Sequence, residues 1–223
     1  MSQSTPFNPL DKRNLGASVA EALLERAPEP LGDLAPFRGA GIYAIYYSGS
    51  FHPYAALSKR NAKGKFEAPI YVGKAIPEGG RKGTALTSGT STRALYKRLS
   101  EHAESIRAAG NLHIADFHCR HLVVDDIWIP LGEQLLIVKF APIWNQTIDG
   151  FGNHDPGSGR YQQVRSRWDV LHPGRSWAMR CQERSETAKQ IGAEIEQYLR
   201  ATPIPSAAHF YAEQPLGDYD VEE

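Results

Sequence analysis

Residues 41–47, GIYAIYY, alternate Ile42, Ala44 and Tyr46 against Tyr43, Ile45 and Tyr47. Neither set is charged, so the stretch predicts a strand covered on both faces. PIYVGKA, residues 69–75, predicts a second strand, entered at Pro69 and left at Gly73. A third is expected around 116–124, where Phe117, Cys119, His121 and Val123 alternate with His118, Arg120, Leu122 and Val124. Helical spacing appears in four places: 17–27, with Val19, Leu23 and Leu24 on one face; 93–107; LGEQLLIVKF after Pro130, ending before Pro142; and about 185–200, with Ile191, Ile195, Tyr198 and Leu199 aligned. A short Arg-rich helix is expected over 160–168, and PEPLGDLAP reads as a loop. The central order β, β, α, β, α predicts an α/β (α+β) fold, with a small mixed or antiparallel three-stranded sheet flanked by helices.

Around this centre the chain divides into an N-terminal extension with one helix (1–36), a core (37–148) carrying a polar, basic insertion (48–68), a glycine-rich loop with a helical C-terminal region (149–200), and an acidic tail (201–223). With 223 residues, one domain with appendages has length enough for a proper core. The 25 basic and 25 acidic residues cancel, but not locally. Between Lys59 and Arg107 stand eleven Lys or Arg against four acids, whereas the last eleven residues hold five acids and no base. A basic segment in a neutral chain suits a surface that faces a polyanion; on charge alone it is equally an ordinary solvated helix and loop. Only Cys119 and Cys181 are present, without a CxxC pair, so neither a disulfide framework nor a Cys-rich zinc site is expected. The N-terminal residues contain no apolar signal core and no run reaches membrane-span length, so a cytoplasmic location is expected.

Several polar residues stand at apolar borders. On the 93–107 helix, Arg98 and His102 are i, i+4 neighbours beside the stripe of Leu95, Leu99, Ala103 and Ile106. There they can point together into a cleft shared with the sheet, or snorkel and be satisfied locally. Glu133 is less easily placed. It precedes Leu136, Ile137 and Phe140 by three, four and seven residues, on the apolar face of its helix, where a carboxylate needs a partner, a proton or a metal. The helix dipole favours it by only about 0.3–1 kcal/mol. With Tyr43 and Tyr71, whose hydroxyls need partners if buried, these residues describe a site drawn from two strands and two helices.

At this point the sequence resembles the GIY-YIG nucleases. Gly41-Ile42-Tyr43 and Tyr71-Val72-Gly73 stand as the two half-motifs, with Val for the usual Ile, and Arg98, His102, Glu133 and Asn145 match the downstream positions in order. Further similarity in FRGAGIYAIYYSG, DFHCR, PIWNQTIDGFGNHDPGSGR and WDVLHPGRSWA points to stand-alone type II restriction endonucleases, in particular those cutting CCGCGG. The resemblance implies double-stranded DNA as substrate, a homodimer, Mg²⁺ (with Mn²⁺ as substitute) at Glu133 as the one metal ligand, and a cognate DNA methyltransferase in the cell without a stable complex.

Phosphodiester hydrolysis needs an activated water, charge neutralisation and help for the leaving oxygen. Arg98 suits the scissile phosphate through its fork geometry. Tyr43 is the candidate base that the resemblance implies, yet ionising a phenol at pH 7 costs roughly 4 kcal/mol. Arg98, Lys74 and the metal ion can lower that cost, and His102 can take the proton instead; the sequence leaves the two open. Tyr71 would bond the phosphate or water, and Asn145 would orient the tyrosines and strand ends. Arg160, Arg165 and Arg167 are candidates for reading guanine or holding phosphate, joined as DNA contacts by Lys63 and Lys65 of the insertion and by Asn153 and His154 of the glycine-rich loop. No GKS/T follows Gly150, Gly152, Gly157 and Gly159, which excludes an NTP-binding P-loop. The alternatives to a restriction enzyme are a structure-specific repair or homing nuclease and a non-catalytic DNA-binding module.

Overall fold

The computed structural model describes residues 8, 10–76, 92–203 and 205. Residues 77–91 and almost all of the acidic tail noted in the sequence lie outside them. Four strands, β1 (Glu29–Pro30), β2 (Gly41–Tyr47), β3 (Pro69–Ala75) and β4 (Phe117–Val123), form one antiparallel sheet in the order β1-β4-β2-β3. The strands β2 and β4 fall where the alternation predicts them, and β3 starts at Pro69 as expected but runs two residues past Gly73 to Ala75. The additional strand is β1, within the Pro-rich stretch read as a loop, where Glu29 and Pro30 pair with Cys119 and His118. Two residues carry no readable period, and proline is tolerated at a sheet edge because its missing N–H breaks no ladder there.

Seven α-helices are described: α1 (Lys12–Leu24), α2 (Ala55–Asn61), α3 (Ala94–Ala108), α4 (Ile129–Phe140), α5 (Ile143–Gln146), α6 (Arg167–Leu171) and α7 (Ala188–Ala201). All seven residues of β2 are buried, and its two faces feed different cores. Ile42, Ala44 and Tyr46 join Ala20 and Leu23 of α1 and Leu136 and Phe140 of α4. Tyr43, Ile45 and Tyr47 join Leu95, Leu99 and Ile106 of α3 with residues of α5, α6 and α7. Each large apolar side chain buried this way contributes about 1.5–3 kcal/mol, which is why the central strand tolerates no charge.

Three expectations are corrected. The first helix starts at Lys12, five residues before the apolar spacing suggests, because the Asp11 side chain accepts from the Arg13 N–H and caps it. The basic insertion is not merely polar: it contains α2, and the Asn61 side chain donates to the Tyr47 and Ala68 carbonyls and accepts from the Ala68 N–H, closing its neck. The helix expected over 160–168 is reduced to α6, which begins at Arg167 where the Ser166 side chain accepts from the Asp169 N–H. Before it, the chain is held in turns by a bridge between Val164 and Gln182.

The C-terminal region is joined to the core by a buried polar chain. Trp144 Nε1 donates to the Tyr54 hydroxyl at 2.8 Å, Tyr54 lies 2.7 Å from His172 Nε2, His172 Nδ1 lies 2.9 Å from Asn111 Oδ1, and Asn111 donates to the Leu171 carbonyl. Burial pushes the His172 imidazole down to about 3, so it is neutral. One set of directions satisfies every link: Tyr54 donates to Nε2 and Nδ1–H donates to Asn111.

Candidate active site

Antiparallel pairing sets Tyr43 opposite Gly73 and Ile45 opposite Tyr71, so the two tyrosines are diagonal neighbours on one face of the sheet. Their ring centroids are 6.2 Å apart. Gly73 is required by this geometry: a Cβ there would lie 2.5 Å from the Tyr43 hydroxyl. The Asn145 side chain, on α5, accepts from the Val72 N–H and donates to the Val72 carbonyl, both at 2.8 Å. It thereby holds β3 between Tyr71 and Gly73.

From the opposite side α3 brings His102 and Arg98. His102 Nε2 lies 2.6 Å from the Tyr43 hydroxyl. The sequence places His102 at the border of the core stripe, yet it is 1% exposed. The reason lies outside its helix: the loop after α5 folds over this edge, and the Phe151 ring stacks on the imidazole at 4.4 Å and 13°. Burial pushes His102 well below its usual pKa, with Arg98, His154 and Arg175 adding to the effect. Burial also raises the Tyr43 phenol well above its ordinary value, helped by Tyr71, while Arg98 opposes the shift. Both effects favour the uncharged pair, in which Tyr43 O–H donates to a neutral Nε2.

Arg98 donates to the Gly152 carbonyl at 3.0 Å and to His154 Nε2 at 2.6 Å, and reaches Glu101 at 3.4 Å. These bonds use part of its five-donor fork. Tyr43 has no exposed surface, while Tyr71 is partly exposed, so Tyr71 is the phenol nearer to solvent. Burial raises the Tyr71 pKa, opposed by Arg98 and reinforced by Glu133. The cleft beside them, about 830 Å³, is lined among the described residues by Lys74, Arg93, Lys97, Arg98 and His154, with Glu101 as the acid. Such a lining favours an anionic ligand.

Glu133 has found a partner: Lys74 Nζ lies 2.6 Å from its Oε2. Its side chain is 16% exposed, which leaves the carboxylate reachable. Among the described residues no group of three or more His, Cys, Asp or Glu gathers to hold a metal. The donor set is therefore a single hard carboxylate, which fits a cation that keeps most of its waters, as Mg²⁺ does, and does not fit a closed zinc site.

The candidate DNA contacts divide. Arg167 is committed within the chain, donating to the Thr147 carbonyl and pairing with Glu194 and Glu186. Arg165 donates to the Ala178 and Met179 carbonyls. Both tie the C-terminal segments together, whereas Arg160, Lys63 and Lys65 are exposed. Asn153 is exposed with its carbonyl turned to Arg175, and His154 joins the site through Arg98. Reading the sequence missed Phe151 and Arg175, since neither breaks an apolar pattern; the basic count included Arg93 and Lys97 without placing them in the cleft.

A pair of tyrosines on neighbouring antiparallel strands is thus joined by Arg and His from one helix, Glu from the next and Asn after it. The family model of the Eco29kI GIY-YIG domain matches residues 35–199, and the chain belongs to that family. It is thus a nuclease domain of restriction type. A comparison with curated proteins finds no match. Among the described residues no helix is long and apolar enough to cross a membrane.

Proposed function

We propose that the chain is a cytoplasmic type II restriction endonuclease that hydrolyses both strands of a short palindromic G·C-rich site, CCGCGG being the candidate, as a homodimer with one Mg²⁺ per active site. A palindrome matches a two-fold dimer that offers one site to each strand. The observation that carries the reading is the 2.6 Å contact between Tyr43 and His102 with Arg98 beside it.

In this reading the roles of Tyr43 and His102 are sequential. A free phenolate at pH 7 costs roughly 4 kcal/mol from the reference pKa alone, and burial of Tyr43 adds to that. A standing phenolate is therefore unfavourable; a phenol that passes its proton to His102 Nε2 as its oxygen accepts one from water never carries the full negative charge, and the cost of the step becomes that of a transient imidazolium, which burial also disfavours. Arg98 stabilises the oxygen during the transfer and binds the phosphate in this reading. Tyr71 hydrogen-bonds the phosphate or the water, and Asn145 keeps β3 in register. Glu133 would hold the Mg²⁺, with Lys74 balancing the carboxylate. Bound there, the ion supplies positive charge for the phosphate and the departing 3′ oxygen.

Incubation with plasmid DNA and Mg²⁺ tests the reading. Discrete fragments that disappear with Glu133→Ala are expected. Random nicking, binding without cleavage, or unchanged cutting by the variant contradicts it.

A further inference from the structure

The loop over the active site is held from behind by one buried guanidinium. Arg175 is 5% exposed and lies between the rings of Trp168 and Trp177, at 4.4 and 4.7 Å from their centroids. Its Nε and Nη2 donate to the two carboxylate oxygens of Asp169, each at 2.7 Å. Nη2 also donates to the Gly150 carbonyl at 2.9 Å, and Nη1 to the carbonyls of Phe151 and Asn153 at 3.2 and 3.1 Å. All five N–H donors of the side chain are thus used, three of them on a single short run of backbone. Gly150 adopts φ +97° there, and a Cβ would lie 2.1 Å from Ser166, so the turn accepts only glycine.

The other side of the same run carries the chemistry. The Phe151 ring stacks on His102, the Gly152 carbonyl accepts from Arg98, and His154 meets Arg98 Nη1. We propose that Arg175 is a positioning residue for the active site, fixing the carbonyls of Gly150, Phe151 and Asn153 so that Phe151 and Gly152 hold His102 and Arg98 in place. The proposal rests on the nuclease reading above. Lysine keeps the charge but offers donors from a single point, without the planar fork that reaches Asp169 and three carbonyls together.

The test is Arg175→Lys in the full chain, read by single-turnover cleavage with Mg²⁺, DNA affinity and backbone hydrogen exchange. Misplacing catalytic groups by about 1 Å can cost on the order of 10²-fold in rate. A fall of that order is expected, with DNA affinity within about threefold, exchange protection lost at 150–154 and retained in β2, β3 and β4. Phe151→Leu should lower the rate as well, and the double variant should fall no further than the worse single, because both act through one contact. A rate within about threefold of the parent, effects that multiply, or protection lost throughout the sheet overturns the proposal. If the parent itself cleaves no DNA, the nuclease reading fails separately, and undiminished protection at 150–154 in Arg175→Lys would still overturn the clamp.

Discussion

The Tyr43 hydroxyl and His102 Nε2 meet at 2.6 Å across 59 residues of sequence, in a place with essentially no solvent exposure. Tyr43→Phe and His102→Gln are each expected to lower single-turnover cleavage by about 10²–10⁴-fold, and the double variant by little more than either. Multiplying effects would show that the two residues act separately.

The same pair sets a pH dependence. His102 must be neutral to accept a proton, and its folded pKa lies below the ordinary value of 6.5. Activity should therefore persist as pH falls through 6.5, with its acid limb displaced below that value. A limb at or above 6.5 in the pH–rate profile would contradict the assignment.

Gly73 faces the Tyr43 ring with no room for a side chain. Gly73→Ala is expected to destabilise the fold by about 1–3 kcal/mol through overpacking and to displace Tyr43, lowering cleavage more than DNA affinity. Urea unfolding and single-turnover rates check both parts, and a variant as active and stable as the parent would refute the close packing.

His172 predicts an acid sensitivity of folding. Its folded pKa is about 3 against an ordinary 6.5, so between these values the unfolded chain binds a proton that the folded chain excludes. Stability should fall as pH drops from 6.5 toward 3, at up to about 1.4 kcal/mol per pH unit from this group. His172→Asn should flatten the curve by that amount; equal slopes in denaturant unfolding at several pH values would contradict it.

Arg160 and Arg167 separate DNA contact from scaffold. Arg160→Ala should weaken DNA binding and reduce the salt slope by about one contact. Arg167→Ala, which unties Glu186 and Glu194, should lower Tm and leave the salt slope unchanged. The reverse pattern would exchange their roles.

How much was legible in the sequence follows from the range of each signal. The strands β2 and β4 show two alternating sets of side chains over seven residues each, β3 is a short apolar run without that period, and α3 and α4 carry long apolar stripes. Glu133 stood out because a charge broke such a stripe, and its need for a partner is met by Lys74. The burial of His102 was hidden, because a helical face reveals only its own helix and not the Phe151 loop that covers it. Arg167 looked like a DNA contact because its partners, Glu186 and Glu194, lie far along the chain. Arg175 left no trace in the pattern, since its five bonds run mostly to backbone carbonyls.

The proposed function requires this site to cut DNA at one sequence. Run-off sequencing of plasmid DNA digested with Mg²⁺ by the parent and by Glu133→Ala and Tyr43→Phe tests it most directly. Ends are expected at one palindromic G·C-rich sequence, at a fixed offset on both strands, absent from both variants. Ends scattered over the plasmid, or the same ends from either variant, would contradict it.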